Sequence, residues 1–265
     1  MRRPLVMGIV NVTPDSFSDG GRFLAHGAAI DHARRLIEEG ADILDIGGES
    51  TRPGAEPVSA DEEIARVAPV IEAIRAESEI PISVDTMKPL VARAAVAAGA
   101  TMWNDVTALG YEPHSAAAAA DLGCDVVLMH MKGEPRTMQV APRYDDVVAE
   151  VCAELAARAE AAMAAGVARH RIWLDPGLGF GKSAEHSLAL LKSLDRVVAL
   201  GFPVLLGASR KSFVRGLDVS AKTAADRLGG SIAAAIKGAE AGARAVRVHD
   251  VRETRQALDL WAAVR

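Results

Sequence analysis

Asp85, Asn104 and Asp175 are hydrogen-bond acceptors that each end a short apolar run, and Arg210, Lys211, Arg247 and His249 are basic side chains gathered after two further runs of that kind. Acceptors in series call for a donor-rich partner. One carboxylate can take two parallel hydrogen bonds from an amino-pyrimidine edge, each charge-assisted bond contributing ~1.5–3 kcal/mol. The basic set suits a multiply charged anion, because a guanidinium grips two oxygens at once while an ammonium serves as a mobile point charge. A diphosphate fits that set better than a carboxylate. The competing reading of Arg247 is an ion pair with Asp250 or a neighbouring acid. Together the two groups describe a flat, N–H-rich heterocycle carrying an anionic tail.

Such residues need a frame that brings them to one face. Apolar runs too brief for a stable helix end at Asp45, Asp85-Thr86, Asn104-Asp105, His130, Asp175 and Arg247-Val248-His249, and alanine-rich stretches lie between them. That is the βα alternation of a parallel sheet. The spacing predicts strands over residues 5–10, 42–46, 82–86, 101–103, 126–129, 171–174, 203–206 and 245–248. Helices are expected over 27–39, 59–76, 89–98, 115–121, 145–165 (the longest) and 221–241, with a last one closing near Trp261. Ser59 followed by Glu62 reads as a capping box. Eight strand-helix pairs make a (β/α)8 TIM barrel, a single domain over 1–265, with its site at the C-terminal ends of the strands. In these barrels the phosphate site tends to lie on the loops after strands seven and eight, where the basic set falls. The polar loops over 11–21 and 47–55 are long, which favours a functional role, and Gly47-Gly48 lets backbone approach a ligand.

Composition narrows the classes. The 265 residues (27.8 kDa) are half hydrophobic and only 4% aromatic, which suits an aliphatic core around parallel strands. A net charge of -5 and a pI near 5.8 give no basic footprint for nucleic acid, so any anion site is local. Although Arg2-Arg3 opens the chain, the apolar segment 5–10 is too short for a signal peptide or a membrane span. Cys124 and Cys152 stand in no metal-binding spacing and read as reduced, buried thiols of a cytoplasmic protein.

Other chemistries fail on particular residues. In the glycine-rich turn 175–183, Pro176 stands where a Walker A loop needs Gly, and Lys182 where a dinucleotide fingerprint needs its last Gly. A Schiff-base aldolase wants an isolated, desolvated lysine, whereas Lys182 sits in that turn. A zinc hydrolase needs a histidine pair at a strand end; His130 is single and reads as a satisfied strand-end histidine. Lys132, Arg136 and Arg143 read mostly as solvated surface.

Residues 7–21, which include Asn11-Val12-Thr13-Pro14-Asp15-Ser16-Phe17-Ser18-Asp19-Gly20-Gly21, and residues 45–54, which include Gly47-Gly48-Glu49-Ser50-Thr51-Arg52-Pro53-Gly54, resemble the two signatures of the dihydropteroate synthase family. The likeness continues in order through Ser83-Val84-Asp85-Thr86, Asn104-Asp105-Val106, Leu128-Met129-His130-Met131, residues 174–182, residues 207–212 and Arg247-Val248-His249-Asp250, covering nearly the whole chain. The resemblance implies condensation of 6-hydroxymethyl-7,8-dihydropterin diphosphate with 4-aminobenzoate to 7,8-dihydropteroate. Diphosphate leaves in an SN1-like displacement that needs no protein nucleophile. It also implies that Asp85, Asn104, Asp175 and Lys211 hold the pterin, with Met129, Phe180 and Gly207 lining its pocket. Asn11, Thr51, Arg52, Arg247 and His249 would bind the diphosphate, Asn11 also touching Mg2+. Phe17, Thr51, Pro53, Lys211 and Ser212 would frame the aminobenzoate.

By the same resemblance the catalytic roles fall to Lys211, Arg247 and Asp19, the last as a cation-stabilising or loop-ordering group and not a general base. Sulfonamides are implied competitors, and a homodimer is the implied assembly. The resemblance departs at the start, where many family members carry a β-hairpin before the first strand, and at Lys132 and Glu134, where the family is usually uncharged. Two rival readings stand beside it. A pterin-binding methyltransferase module of the corrinoid type would not require Ser209-Arg210-Lys211 with Arg247-Val248-His249, and no cobalamin-binding domain is read in this chain. A non-catalytic homologue binding a pterin or a partner protein is the other.

Overall fold

Short apolar runs, buried on both faces and most of them ending in a polar residue, build the architecture. The computed structural model describes residues 3–12, 19–50, 56–133 and 137–264, with 19–24 described as backbone alone. Among the described residues, eight parallel strands pair in the order β6-β5-β4-β3-β2-β1-β8-β7: β1 (Leu5–Asn11), β2 (Ile43–Gly47), β3 (Ile82–Asp85), β4 (Met102–Asp105), β5 (Asp125–Met129), β6 (Ile172–Asp175), β7 (Leu205–Leu206) and β8 (Ala245–Val248). A bridge between Leu174 and Val204, with the Leu174 N–H donating to Pro203 O at 2.9 Å, joins β6 to the short β7. The sheet thereby closes on itself, which satisfies the edge groups that an open sheet would expose. Around it run α1 (Asp19–Glu38), α2 (Ala60–Glu77), α3 (Pro89–Ala97), α4 (Ser115–Leu122), α5 (Val147–Ala164), α6 (Ala184–Lys192), α7 (Leu194–Val198), α8 (Leu228–Ala241) and α9 (Val251–Ala263).

Met7, Ile43, Met102, Val127, Trp173, Leu205 and Ala245, each from a different strand, form one buried apolar cluster. By the two-residue period of a strand, the next inward layer toward the C-terminal ends is Ile9, Asp45, Asn104, Met129, Asp175, Gly207 and Arg247. The intervening Leu44, Val84, Trp103, Leu128, Leu174 and Val246 face the other way, into the larger core shared with the helices. Each fully buried aliphatic side chain of this kind contributes roughly 1.5–3 kcal/mol. An apolar plug therefore closes the barrel beneath a polar mouth.

Several element boundaries differ from expectation for local reasons. Helix α1 starts at Asp19, ahead of Gly27, and is longer than α5. A mid-helix glycine costs only about 1 kcal/mol relative to alanine, and the buried Ala29, Ala33 and Leu36 supply the packing that carries the helix through Gly27. Helix α8 starts at Leu228, not 221, because Asp226 Oδ2 accepts from Thr223 N and Oγ1 at 2.7 and 2.8 Å, a local turn that competes with helix. Ser59 Oγ accepts the Glu62 N–H at 3.2 Å, but the Glu62 carboxylate turns to Arg66, so half of the expected capping box forms. The reciprocal box is at α6, between Ser183 and His186. Both cysteines are free; Cys124 is buried, whereas Cys152 is only half-buried. No helix among the described residues is long and apolar enough to cross a membrane.

Candidate active site

The polar layer at the barrel mouth is knitted together by Asp45. This residue has no solvent exposure, and its Oδ2 accepts from Arg247 Nε at 2.5 Å and from Asn104 Nδ2 at 3.2 Å. Arg247 also reaches Asp85, Nη2 to Oδ2 at 2.7 Å. Burial opposes the guanidinium's charge, but Asp45 and Asp85 overcome it and hold its pKa above the ordinary value. Asp85 is raised by burial, with Arg247 opposing. Arg247 is thus paired with two acids, and neither is the Asp250 considered from sequence.

Above this layer opens a pocket whose empty space, counted together with the solvent at its mouth, is about 490 Å³. It brings together nine of the expected residues: Asp85, Asn104, Met129, Asp175, Phe180, Gly207, Lys211, Arg247 and His249. Asp175 Oδ1 accepts the Gly177 N–H at 2.7 Å, and a Cβ on residue 207 would stand 3.6 Å from Asp175 Oδ2, so glycine there keeps the space beside the acid open. Burial raises the Asp175 pKa. Lys211 Nζ lies 4.1 Å from the centroid of the Phe180 ring, a cation–π contact. Its pKa is pushed down to about 8 by burial, with Asp175 resisting.

The loops after β7 and β8 are bound to each other. Ser209 Oγ accepts the His249 N–H at 3.2 Å and lies 3.1 Å from His249 Nδ1. Arg210, expected among the anion-binding cations, instead forks onto Asp250, with Nε to Oδ2 at 3.0 Å. It sits at φ 58°, a left-handed turn whose backbone is held by Ser231 Oγ and Arg227. Lys211 therefore points into the pocket while its neighbour ties the loops together.

A Cβ on Gly48 would meet Val67 at 2.9 Å and Glu63 at 3.0 Å, so this glycine serves packing against α2, not the ligand approach expected of it. Lys88 pairs with Glu63 Oε2 at 2.6 Å and with Glu49, whose other oxygen accepts the Val58 N–H at 3.2 Å. These contacts fix the described ends of the second loop. Phe17, Thr51, Arg52 and Pro53 lie outside the described residues, as does the side chain of Asp19. Asn11 is exposed at the end of β1, and Ser212 is exposed just beyond Lys211. Neither lines the pocket.

Residues 7–249 match the family model described as pterin binding enzyme. The dihydropteroate synthase of Neisseria meningitidis serogroup B is 49% identical over 99% of this chain and 93% of its own length. The chain belongs to the dihydropteroate synthase family. The Xanthomonas albilineans dihydropteroate synthase structure with 4-aminobenzoic acid is 54% identical, with a TM-score of 0.92 over 99% of this chain and 93% of that one. The Yersinia pestis dihydropteroate synthase structure with a sulfonamide drug complex is 45% identical, with a TM-score of 0.93 over 99% and 94%.

Set in a dihydropteroate synthase, the inward layer holds more than sequence reasoning selects. Ile9, Val106, Gly177, Leu178 and Ser209 also line the pocket, and Asp45 supports it from below. The two-residue period from Ile43 carried the signal for Asp45. Asp105, one residue from the pocket's Asn104, faces outward and accepts from Thr107 and Leu109 N–H groups at 2.7 and 2.8 Å. His130 is a satisfied core histidine on one side: its Nδ1 lies 2.8 Å from Lys182 Nζ, while Nε2 is 3.0 Å from Glu154 Oε2 at an angle that makes no hydrogen bond. Burial pushes its pKa down to about 3.

Proposed function

We propose that this pocket joins 6-hydroxymethyl-7,8-dihydropterin diphosphate to 4-aminobenzoate, the dihydropteroate synthase reaction. The observation that carries the reading is the convergence of Asp85, Asn104, Asp175 and Lys211 with Arg247 and His249 on one pocket. The acids and the amide take the N–H edge of the pterin, and Lys211 donates to its acceptor side while resting on Phe180. Arg247 and His249 draw the diphosphate. Stabilising the departing charge is the main catalytic term available, since the displacement breaks the methylene C–O bond before the amine nitrogen closes the new C–N bond and sheds a proton to solvent. The electron-rich dihydropterin carries the positive charge between those events.

Mg2+ belongs to the same proposal. Among the described residues no three His, Cys, Asp or Glu side chains converge as a metal site. Asn11, exposed at the end of β1, offers one hard amide oxygen, and a magnesium ion is ordinarily held by few protein ligands plus substrate phosphates and water. When bound it supplies charge neutralisation at the diphosphate. Thr51 and Arg52 complete the diphosphate site and Phe17, Pro53 and Ser212 the aminobenzoate site, with Asp19 steadying the developing cation or its loop. Sulfonamides compete at the aminobenzoate position, and the enzyme works as a cytoplasmic homodimer.

The test is a diphosphate-release assay with both substrates, repeated without 4-aminobenzoate. Release that depends on the amine is expected, and Lys211→Ala is expected to abolish it; near-native turnover in that variant removes Lys211 from the reaction. A corrinoid-type methyl transfer would show neither dependence.

A further inference from the structure

Lys182 is a buried amine that the proposed reaction does not use. It is 3% exposed and does not line the pocket, yet its Nζ has three acceptors: His130 Nδ1 at 2.8 Å, Phe180 O at 3.0 Å and His130 O at 3.1 Å. Three N–H groups of an ammonium meet three lone-pair atoms, so the group is saturated where it lies. Burying a lysine this deeply is costly, and a leucine or methionine would fill the space without the charge. The feature to explain is what the amine holds.

Its acceptors belong to two walls of the pocket. Phe180 lines the pocket from the β6 loop, and His130 follows Met129, which lines it from β5. The two backbones also touch without side chains between them. A Cβ on Gly177 would fall 2.0 Å from His130 O, and one on Gly181 would fall 2.2 Å from Lys132 O. The β6 loop is therefore laid directly on the chain that follows β5, and Lys182 is the donor that fastens it there. Phe180 in turn carries Lys211, 4.1 Å from its ring centroid.

We propose that Lys182 is a positioning residue for pterin recognition, fastening Phe180 to the end of β5 from behind so that a flat ring fits between Met129 and Phe180 with Lys211 held above. This rests on the reading of the pocket as the pterin site.

The experiment compares Lys182→Met, which keeps the length of the side chain and removes its donors, with Lys182→Arg, which keeps donors and charge. Calorimetric titration with the dihydropterin diphosphate and both KM values are measured on folded protein. Lys182→Met is expected to raise the pterin Kd and KM about tenfold, a loss of about 1.4 kcal/mol, while the aminobenzoate KM moves less than about twofold. Lys182→Arg is expected to recover most of that loss. A folded Lys182→Met protein with unchanged pterin Kd overturns the proposal, as do equal rises in both KM values. Failure of both variants to fold assigns Lys182 to folding alone and overturns it equally. Asp175→Asn, run in parallel, separates the levels: if it too leaves pterin affinity unchanged, the site reading falls with the proposal, whereas weakened binding there and none in Lys182→Met sinks the proposal alone.

Discussion

Lys211 and Arg247 are both half-buried cations of the pocket wall, but their surroundings treat them differently. Arg247 has two carboxylates within ion-pairing distance and stays charged, whereas Lys211 has a ring beneath it and its pKa falls to about 8. If the ammonium of Lys211 is needed to bind pterin, kcat/KM, which reports the free enzyme, declines as pH rises through about 8. The same profile rises on its acid side as Asp175 and Asp85 ionise, since burial raises both acids. A pH titration of kcat/KM that stays flat between about pH 7 and 9.5 excludes an essential ammonium at Lys211. Asp85, Asn104 and Asp175 are legible in the sequence because a polar residue at the end of a strand in a barrel has few places to go but the mouth. The place of Asp45 is legible in the same way, but its pairing, like that of Arg210, is not. Their roles depend on partners, Arg247 and Asp250, that lie far along the chain, and only closure of the barrel decides which acid meets which cation.

The β6 loop shows what glycine does for a binding wall. Gly177 has φ 64°, and a Cβ there would be driven into His130 O. Gly177→Ala is therefore expected to destabilise the protein by about 3 kcal/mol or more, through both backbone strain and the clash, and to weaken pterin binding because the loop carries Asp175 and Phe180. Urea unfolding followed beside pterin titration checks both effects. An alanine variant with native stability and affinity would show that the loop does not rest on β5. The alternation of strand and helix is readable because burial imposes period two on one and 3.6 on the other. The starts of α1 and α8 escape that signal. In α1 packing carries the helix across glycine, and ahead of α8 the Thr223–Asp226 turn delays it, so propensity misleads in opposite directions at the two sites.

Barrel closure also buries groups whose protonation pulls the stability of the molecule in opposite directions. Burial lowers His130 to about 3 from 6.5, so between those values the unfolded chain binds more protons and stability is lost as pH falls. Burial raises Asp105 to about 6 from 3.8, so over that interval the native state binds more protons and stability is gained as pH falls. Asp85, Asp175 and Glu63, all raised by burial, act in the same sense as Asp105. The histidine term offsets only part of the carboxyl terms, so the wild-type protein is expected to gain stability as pH falls from about 6 to 4. The offset is exposed by difference. His130→Gln removes the titrating ring and leaves the carboxylates, so wild type loses ground to the variant as pH falls, by at most on the order of 5 kcal/mol over the full window. Urea unfolding of both proteins between about pH 4 and 6, below the Lys182 titration near 7, reads that gap directly. Parallel curves would mean that His130 takes up its proton in the folded barrel as readily as in the unfolded chain, with the Glu154 carboxylate 3.0 Å from Nε2 outweighing burial and the Lys182 ammonium.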